Sequence, residues 1–250
     1  MEELRYREND RFFPIPENEK DIPAIWAEHF IDIPTRPTGF NILEGLCFDR
    51  DGKLFICNTP QSRIWKLDVE TKELSVFADL PEHMMPSAVK IHKDGRIFST
   101  VAGSDAIYRM DISSYEKISE ESPTEWARVP GPNGITIGNN ALYIAAISKD
   151  FSSVTEDTVI YRIPDLSNPK AEVLLDVPGL YDGVALSDDG KVLYYSDWNT
   201  ESVGAIDLVS GEVTSVYQEK GIGPADIAQS GGYLYVPGLQ GSRILEFAVE

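Results

Sequence analysis

One phrase, in which an apolar strand, a tight polar turn and a second apolar strand follow each other, recurs five times along this 250-residue chain and leaves few architectures open. The copies read EGLCFDRDGKLFICN from Glu44, SAVKIHKDGRIFST from Ser87, NGITIGNNALYIAA from Asn133, DGVALSDDGKVLYYSD from Asp182 and ADIAQSGGYLYVPG from Ala225. Their starts lie 43, 46, 49 and 43 residues apart, the length of a four-stranded unit. In the first copy Leu46 to Asp49 alternates as a short strand, Asp51-Gly52 makes a hairpin turn and Leu54 to Asn58 forms the return strand. Arg63 to Asp68 and Leu74 to Ala78 supply two more, separated by the polar VETKE. The third-strand phrase returns as AIYRMD, VIYRI, GAIDL and RILEF.

Radial repetition of such sheets leaves only short, protected edges, so the expected fold is all-β: a β-propeller of four-stranded antiparallel blades, five by direct count. A solenoid or a string of small β domains is the rival, disfavoured by the uniformity of the phrase and the lack of a linker-like stretch. The last copy stops after its third strand at Glu250, while AIWAEHF, Ala24 to Phe30, reads like the fourth strands SVFADLP and EVLLDVP. The N-terminal strand is therefore expected to close the last blade. The organisation is then a polar lead-in over 1–23 and one propeller domain over 24–250.

Charge narrows the partners. With 41 acidic against 22 basic residues the chain carries −19 at neutral pH and would repel phosphate backbones and anionic membrane surfaces. A small-molecule substrate is expected, with neither nucleic acid nor membrane. Cys47 and Cys57 have no further Cys or Cys/His pair to build a soft-metal cage and read as buried free thiols. The charged start MEELRYRENDRFF and the lack of a run of about 18 apolar residues give a cytoplasmic location as the expectation. No G-x-S-x-G, phosphate-binding glycine loop or dinucleotide fingerprint occurs.

The repeat also aligns chemistry. The residue before each innermost strand lies at the top of the central channel, and these residues are Glu44, Ser87, Asn133, Asp182 and Ala225. Two carboxylates, an amide oxygen and a hydroxyl converging there call for a cation or water between them. Hard oxygen donors suit Ca²⁺, Mg²⁺ or Mn²⁺ better than Zn²⁺. Asp226, next to Ala225, is a secondary candidate. The plain alternative is that Asn-Gly and Asp-Gly form turns anywhere, but three such residues at equivalent places in three repeats favour a metal. Around the mouth, Asn58, His83, Tyr181 and Trp198 are expected to meet substrate, and the longer loop Ser148 to Asp157 reads as a lid or specificity loop. Trp65 and Trp126 are assigned to packing between blades, and His29 and His92 to structure.

The phrases LEGLCFD, GPNGITI and LYDGVALSDDGKVLYYSD, in this order, resemble segments of the SMP-30/gluconolactonase/luciferin-regenerating family over about residues 40–250. That resemblance implies a calcium-dependent lactone hydrolase built as a six-bladed propeller, with the metal on Glu44, Asn133 and Asp182. Ca²⁺ is then the first expectation, with Mg²⁺, Mn²⁺ and Zn²⁺ as alternatives. The chain departs from the family pattern by one repeat fewer between Glu44 and Asn133, and by Ser87 where many members carry Asn or Asp. The implied activity is a metal-dependent hydrolase opening a small lactone or related cyclic ester. In it the cation polarises the carbonyl, Asp182 is the catalytic base, and Ser87 joins the four mouth residues in binding substrate. Two readings compete: a lyase or isomerase working through an enolate at the same site, and a non-catalytic binding propeller with a structural cation.

Overall fold

Asp49 shows how one repeat turns a corner: its Oδ1 accepts the amides of Asp51 and Lys53 at 2.9 and 2.8 Å, and Gly52 takes the left-handed φ of 76° that closes the hairpin. Ser187 does the same in a later repeat, where its Oγ accepts the amides of Lys191 and Val192 and Gly190 has φ 70°. The computed structural model describes residues 31, 33–34, 42–102, 104–111, 124–138, 140–240 and 243–249. Its sheets all lie in the unit Thr35–Glu250.

The first sheet runs β1 (Leu43–Phe48), β2 (Lys53–Asn58), β3 (Arg63–Asp68), β4 (Leu74–Asp79), each strand antiparallel to the next. The second holds β5 (Met85–Ile91), β6 (Arg96–Ala102), β7 (Ala106–Asp111) and β8 (Thr124–Arg128). The third holds β9 (Pro132–Gly138), β10 (Ala141–Ala146), β11 (Ile160–Ile163) and β12 (Glu172–Leu175). The fourth holds β13 (Tyr181–Leu186), β14 (Val192–Asp197), β15 (Ser202–Asp207) and β16 (Val213–Gln218). The fifth has three strands among the described residues: β17 (Ala228–Ser230), β18 (Tyr233–Gly238) and β19 (Arg243–Ala248). These are five blades of a β-propeller, as the repeat count predicts. The expected closing strand Ala24 to Phe30, the lead-in 1–23 and His29 lie outside the described residues.

Four apolar layers join consecutive blades. Phe55, Ile64 and Cys57 of the first meet Val89, Ile97 and Met110 of the second, and Phe98 and Ile107 of the second meet Leu142, Ile144 and Val159 of the third. Tyr143 and Ile160 pack on Val184, Leu193 and Ile206, and Tyr194 and Val203 pack on Ile227, Leu234 and Val236. Each fully buried side chain of this size is worth roughly 1.5–3 kcal/mol, so inter-blade burial is what holds the ring. Trp126 meets Phe98 of its own blade with ring centroids 4.7 Å apart and planes tilted by 58°, and packs against the layer shared by the second and third blades. Trp65 is buried with the Arg63 guanidinium 5.1 Å above its ring. His92 is buried, with its ring nitrogen 2.8 Å from Asp94. Cys57 is buried and Cys47 half-buried, both as free thiols. Between the fifth and first blades the described residues form no such layer, and Leu46, Phe48 and Ile244 remain exposed. Among the described residues no helix is long and apolar enough to cross a membrane.

The inner strands β1, β5, β9, β13 and β17 pack side by side in this order. No blade stands between the first and second, because Gly45 of β1 lies directly against Ser87 and Ala88 of β5. The described residues thus give five blades where the family resemblance implies six.

Candidate functional site

Each of the first four inner strands slips its register near its start. Pairing jumps from Leu43↔Asn58 to Leu46↔Ile56, from Pro86↔Val101 to Val89↔Ser99, from Pro132↔Ala146 to Ile135↔Ile144, and from Tyr181↔Asp197 to Val184↔Tyr195. Two residues therefore oppose one, the signature of a β-bulge, which re-aims a side chain. The paired residues are Glu44-Gly45, Ser87-Ala88, Asn133-Gly134 and Asp182-Gly183. Asn-Gly and Asp-Gly are thus bulges inside strands here and not hairpin turns.

The second residue of each pair is small for a steric reason. A Cβ on Gly45 would lie 2.5 Å from the Ala88 Cα, one on Gly134 2.1 Å from the Asp182 carbonyl oxygen, and one on Gly183 2.6 Å from the Asp226 Cα. Backbones of adjacent blades touch at this level, and the first residue of each pair is left to face the channel. Hydroxyls lock the arrangement. Thr100 Oγ1, opposite the second bulge, accepts the Ala88 amide at 3.1 Å and donates to the Asn133 carbonyl. Ser196 Oγ accepts the Gly183 amide and donates to the Ala225 carbonyl, both at 2.8 Å. In the first blade Thr59 Oγ1 donates to the Pro86 carbonyl at 2.9 Å.

The fifth position follows the same pattern. Ser196 holds the Ala225 carbonyl as Thr100 holds that of Asn133, and a Cβ on Gly183 would meet the Asp226 Cα as one on Gly45 would meet the Ala88 Cα. Ala225 therefore takes the place equivalent to Asn133, and Asp226 the second place of the pair, where the other blades carry Gly or Ala.

Four of the aligned side chains form a hydrogen-bonded arc across four blades. Ser87 Oγ lies 2.9 Å from Glu44 Oε2 and 2.5 Å from Asn133 Oδ1. Asn133 Nδ2 donates to Asp182 Oδ1 at 3.0 Å, and Trp198 Nε1 donates to Asp182 Oδ2 at 2.9 Å. Trp198, at the end of β14, is therefore at the site as the sequence suggests. Burial raises the Glu44 carboxyl above its ordinary value, against the hydrogen bond from Ser87. Asp182 is pushed up to about 7, first by burial and next by the charge of Asp226, with the Trp198 and Asn133 hydrogen bonds opposing. Asp226 is raised by burial and by Glu44, against the pull of Lys90. Glu44 and Asp226 remain open to water as residues, as befits the wall of a narrow wet shaft.

The donor set fits a hard divalent cation. The Ser87 hydroxyl has one proton for two acceptors, so one of its two oxygen contacts sets lone pair against lone pair. Carboxylates of like charge also raise one another, and a cation relieves both. Among the described residues no three His, Cys, Asp or Glu side chains gather as a metal site, and an ion here would draw on the Asn133 amide oxygen besides carboxylates.

The remaining mouth residues divide. Tyr181 does not face the channel: its ring is buried against Tyr195 and its hydroxyl donates to the Val177 carbonyl at 2.7 Å. Asn58 is fully buried at the end of β2. His83 is exposed with a φ of 69° on the loop before β5, at the same end as the bulges. The long loop is built on Asp150, whose Oδ1 accepts the amides of Ser152 and Ser153 and the Ser148 hydroxyl, while Lys149 pairs with Asp105 at 3.1 Å. The two hydroxyls Thr100 and Ser196 are the participants that sequence reasoning missed, and Asp226 it placed second. The positions opposite the four bulges hold Cys57, Thr100, Ala145 and Ser196, so no recurrent residue type marked them in the sequence.

Residues 44–248 match the model of the SMP-30/Gluconolactonase/LRE-like region. Lactonase drp35 of Staphylococcus saprophyticus is 29% identical over 84% of this chain and 64% of its own length. Lactonase drp35 of Staphylococcus haemolyticus is 30% identical over 79% of this chain and 59% of its own. The chain thus spans about three fifths of the length of these relatives. Among solved structures, regucalcin from Agrobacterium tumefaciens, a calcium-binding protein, superposes with a TM-score of 0.62 at 17% identity, covering 85% of this chain and 76% of that one. That likeness shows the fold. With its repeats, its bulged inner strands and a family match running from Glu44 to within two residues of the last, this chain belongs to the SMP-30/gluconolactonase/LRE-like family.

Proposed function

We propose that the chain is a metal-dependent hydrolase that opens a small lactone or related cyclic ester. The observation that carries this reading is the Asp182 carboxylate, fixed at both oxygens by Asn133 and Trp198 and facing the Glu44–Ser87 pair across the channel. The named lactonase activity of the staphylococcal relatives supports it. A divalent cation held by Glu44, Asn133 and Asp182, with calcium first in line, would supply polarisation of the ester carbonyl and stabilise the charge that develops on its oxygen.

The chain's own residues do the rest. Asn133 spans the site, its Oδ1 toward Ser87 and its Nδ2 toward Asp182, so its rotamer is set from both sides. Trp198 orients the Asp182 carboxylate and covers one flank of it with an apolar ring. Asp182 is the proton acceptor for the attacking water. His83 and Trp198 are the mouth residues proposed to touch substrate, and Ser87 contributes its hydroxyl from within the channel. Ring opening leaves a carboxylate, which the negative charge of Glu44 and Asp182 helps expel.

Elemental analysis of the purified protein, combined with acid release from a panel of γ- and δ-lactones, tests the reading. The expected result is a bound divalent metal and hydrolysis that chelation abolishes and calcium restores. Metal-loaded protein that releases no acid from any lactone would overturn hydrolysis in favour of the lyase, isomerase or binding readings.

A further inference from the structure

The channel has a second end, which the proposed reaction does not use. Three residues beyond the channel position, Lys90, Thr136, Ala185 and Ala228 occupy equivalent places in β5, β9, β13 and β17. Each stands opposite an aromatic residue of the neighbouring strand, Phe98, Tyr143, Tyr194 and Tyr235 in turn. All four line one cavity of about 420 Å³ that reaches down to the Asp188-Asp189-Gly190 turn, away from the bulges. Inner strands of four blades contribute, so the cavity belongs to the shaft of the ring. Its volume falls in the range of small-molecule sites, roughly 300–1,000 Å³. Thr136, Ala185 and Ala228 are small and leave this space open, and the fourth residue of the level is a lysine.

Among the described residues Lys90 is the one cation of this lining. It is half-buried, and no described carboxylate forms an ion pair with its ammonium; Asp226 feels it only through space. The two carboxylates at the rim are engaged elsewhere. Asp189 pairs with Lys191 at 2.9 Å and accepts the Ser187 hydroxyl at 2.8 Å, and Asp188 accepts the Gly232 amide at 3.0 Å. Thr136 and Gln229 add a hydroxyl and an amide to the same cavity, and Ile137, Leu186 and Ile227 give it an apolar wall. We infer that this end of the channel is a second small-molecule site, for a small organic carboxylate whose charge meets Lys90 and whose carbon chain lies along that wall. A half-buried ammonium lacking an ion-pair partner gains a charge-assisted hydrogen bond from such a ligand. The bulge end offers an acid only Glu44 and Asp182, which repel it unless a metal intervenes.

Calorimetric titration of the full chain with butyrate, hexanoate and their uncharged amides, once with calcium and once with chelator, tests the site. Both acids should bind, hexanoate the more tightly, with the same affinity in calcium and in chelator. Each amide should bind about tenfold or more weakly than its acid. Lys90→Met should weaken the acids by about ten- to hundredfold, and Lys90→Arg should restore most of that loss. Thr136→Val, a second variant that keeps the side chain's shape, should weaken them by about three- to tenfold. Acid binding that needs calcium would place the ligand on the metal and overturn the inference. So would equal affinity for acid and amide, an affinity that neither Lys90→Met nor Thr136→Val changes, or no binding of either acid by the parent protein. None of these outcomes bears on lactone hydrolysis, which is measured separately at the other end of the channel.

Discussion

The indole Nε1 of Trp198 donates to Asp182 Oδ2 at 2.9 Å, and the two residues, sixteen apart, lie in β13 and directly after its neighbour β14 in one blade. The hydrogen bond stabilises the charged carboxylate and so opposes the burial that pushes Asp182 upward. Trp198→Phe keeps the ring and removes the donor, so the Asp182 carboxyl should rise further. The acid limb of kcat/KM should move to higher pH, with activity near neutrality falling about three- to tenfold. An unshifted limb in protein of unchanged metal content would show that the indole only packs.

Asp182→Asn retains an oxygen of the same shape and loses the charge and the proton acceptor. Lactone hydrolysis should fall by about a hundredfold or more. Metal content must be measured on the same preparation, since a rate that merely tracks lost metal says nothing about proton transfer. Parent-like turnover by metal-loaded Asp182→Asn would place the base elsewhere.

Linkage gives a third expectation. The Asp182 carboxyl titrates at about 7 in the folded chain against an ordinary value of 3.8, and Glu44 and Asp226 are raised as well. A carboxyl raised on folding binds its proton more tightly in the native state. Its contribution to stability is therefore full below about pH 4 and disappears as pH rises through about 7. Carboxylates held low by a neighbouring lysine, such as Asp68 and Asp189, act in the opposite sense but only below about pH 4. Chelator-treated protein should thus melt at a lower temperature at pH 8 than at pH 5.5, and calcium should flatten or reverse that slope. Equal melting temperatures with chelator would contradict the carboxylate cluster.

Gly134→Ala should be among the costliest single changes in the chain. Its Cβ would sit 2.1 Å from the Asp182 carbonyl oxygen, so the third and fourth blades must separate. We expect a loss of about 3 kcal/mol or more, at or above the upper range of overpacking. Gly211→Ala is the control: its Cβ meets nothing within 4 Å, and the cost is confined to a left-handed φ of 76°, about 1 kcal/mol. Similar denaturation midpoints for the two variants would sink the close-approach argument.

Local chemistry sufficed for much of this protein. The period of the turn-strand phrase, set by Asp51-Gly52, Asp94-Gly95 and Asp189-Gly190, determined the hairpins, and repetition determined the blades, because an isolated sheet cannot bury its faces while adjacent ones can. The order Glu44, Asn133, Asp182 identified three oxygens at one level for the same reason: equivalent repeats place equivalent residues. What depends on contacts between repeats was decided by tertiary structure alone. Asp226, in the second place of the fifth pair, lies with its Cα directly against Gly183, an approach of backbones invisible in the spacing. Tyr181 turned into the blade and Trp198 into the channel although both lie at strand ends, since a strand alternates faces and a bulge resets the alternation by one residue. Whether Gly in Asn133-Gly134 made a turn or yielded to a neighbouring backbone was likewise a question only the packed ring could answer.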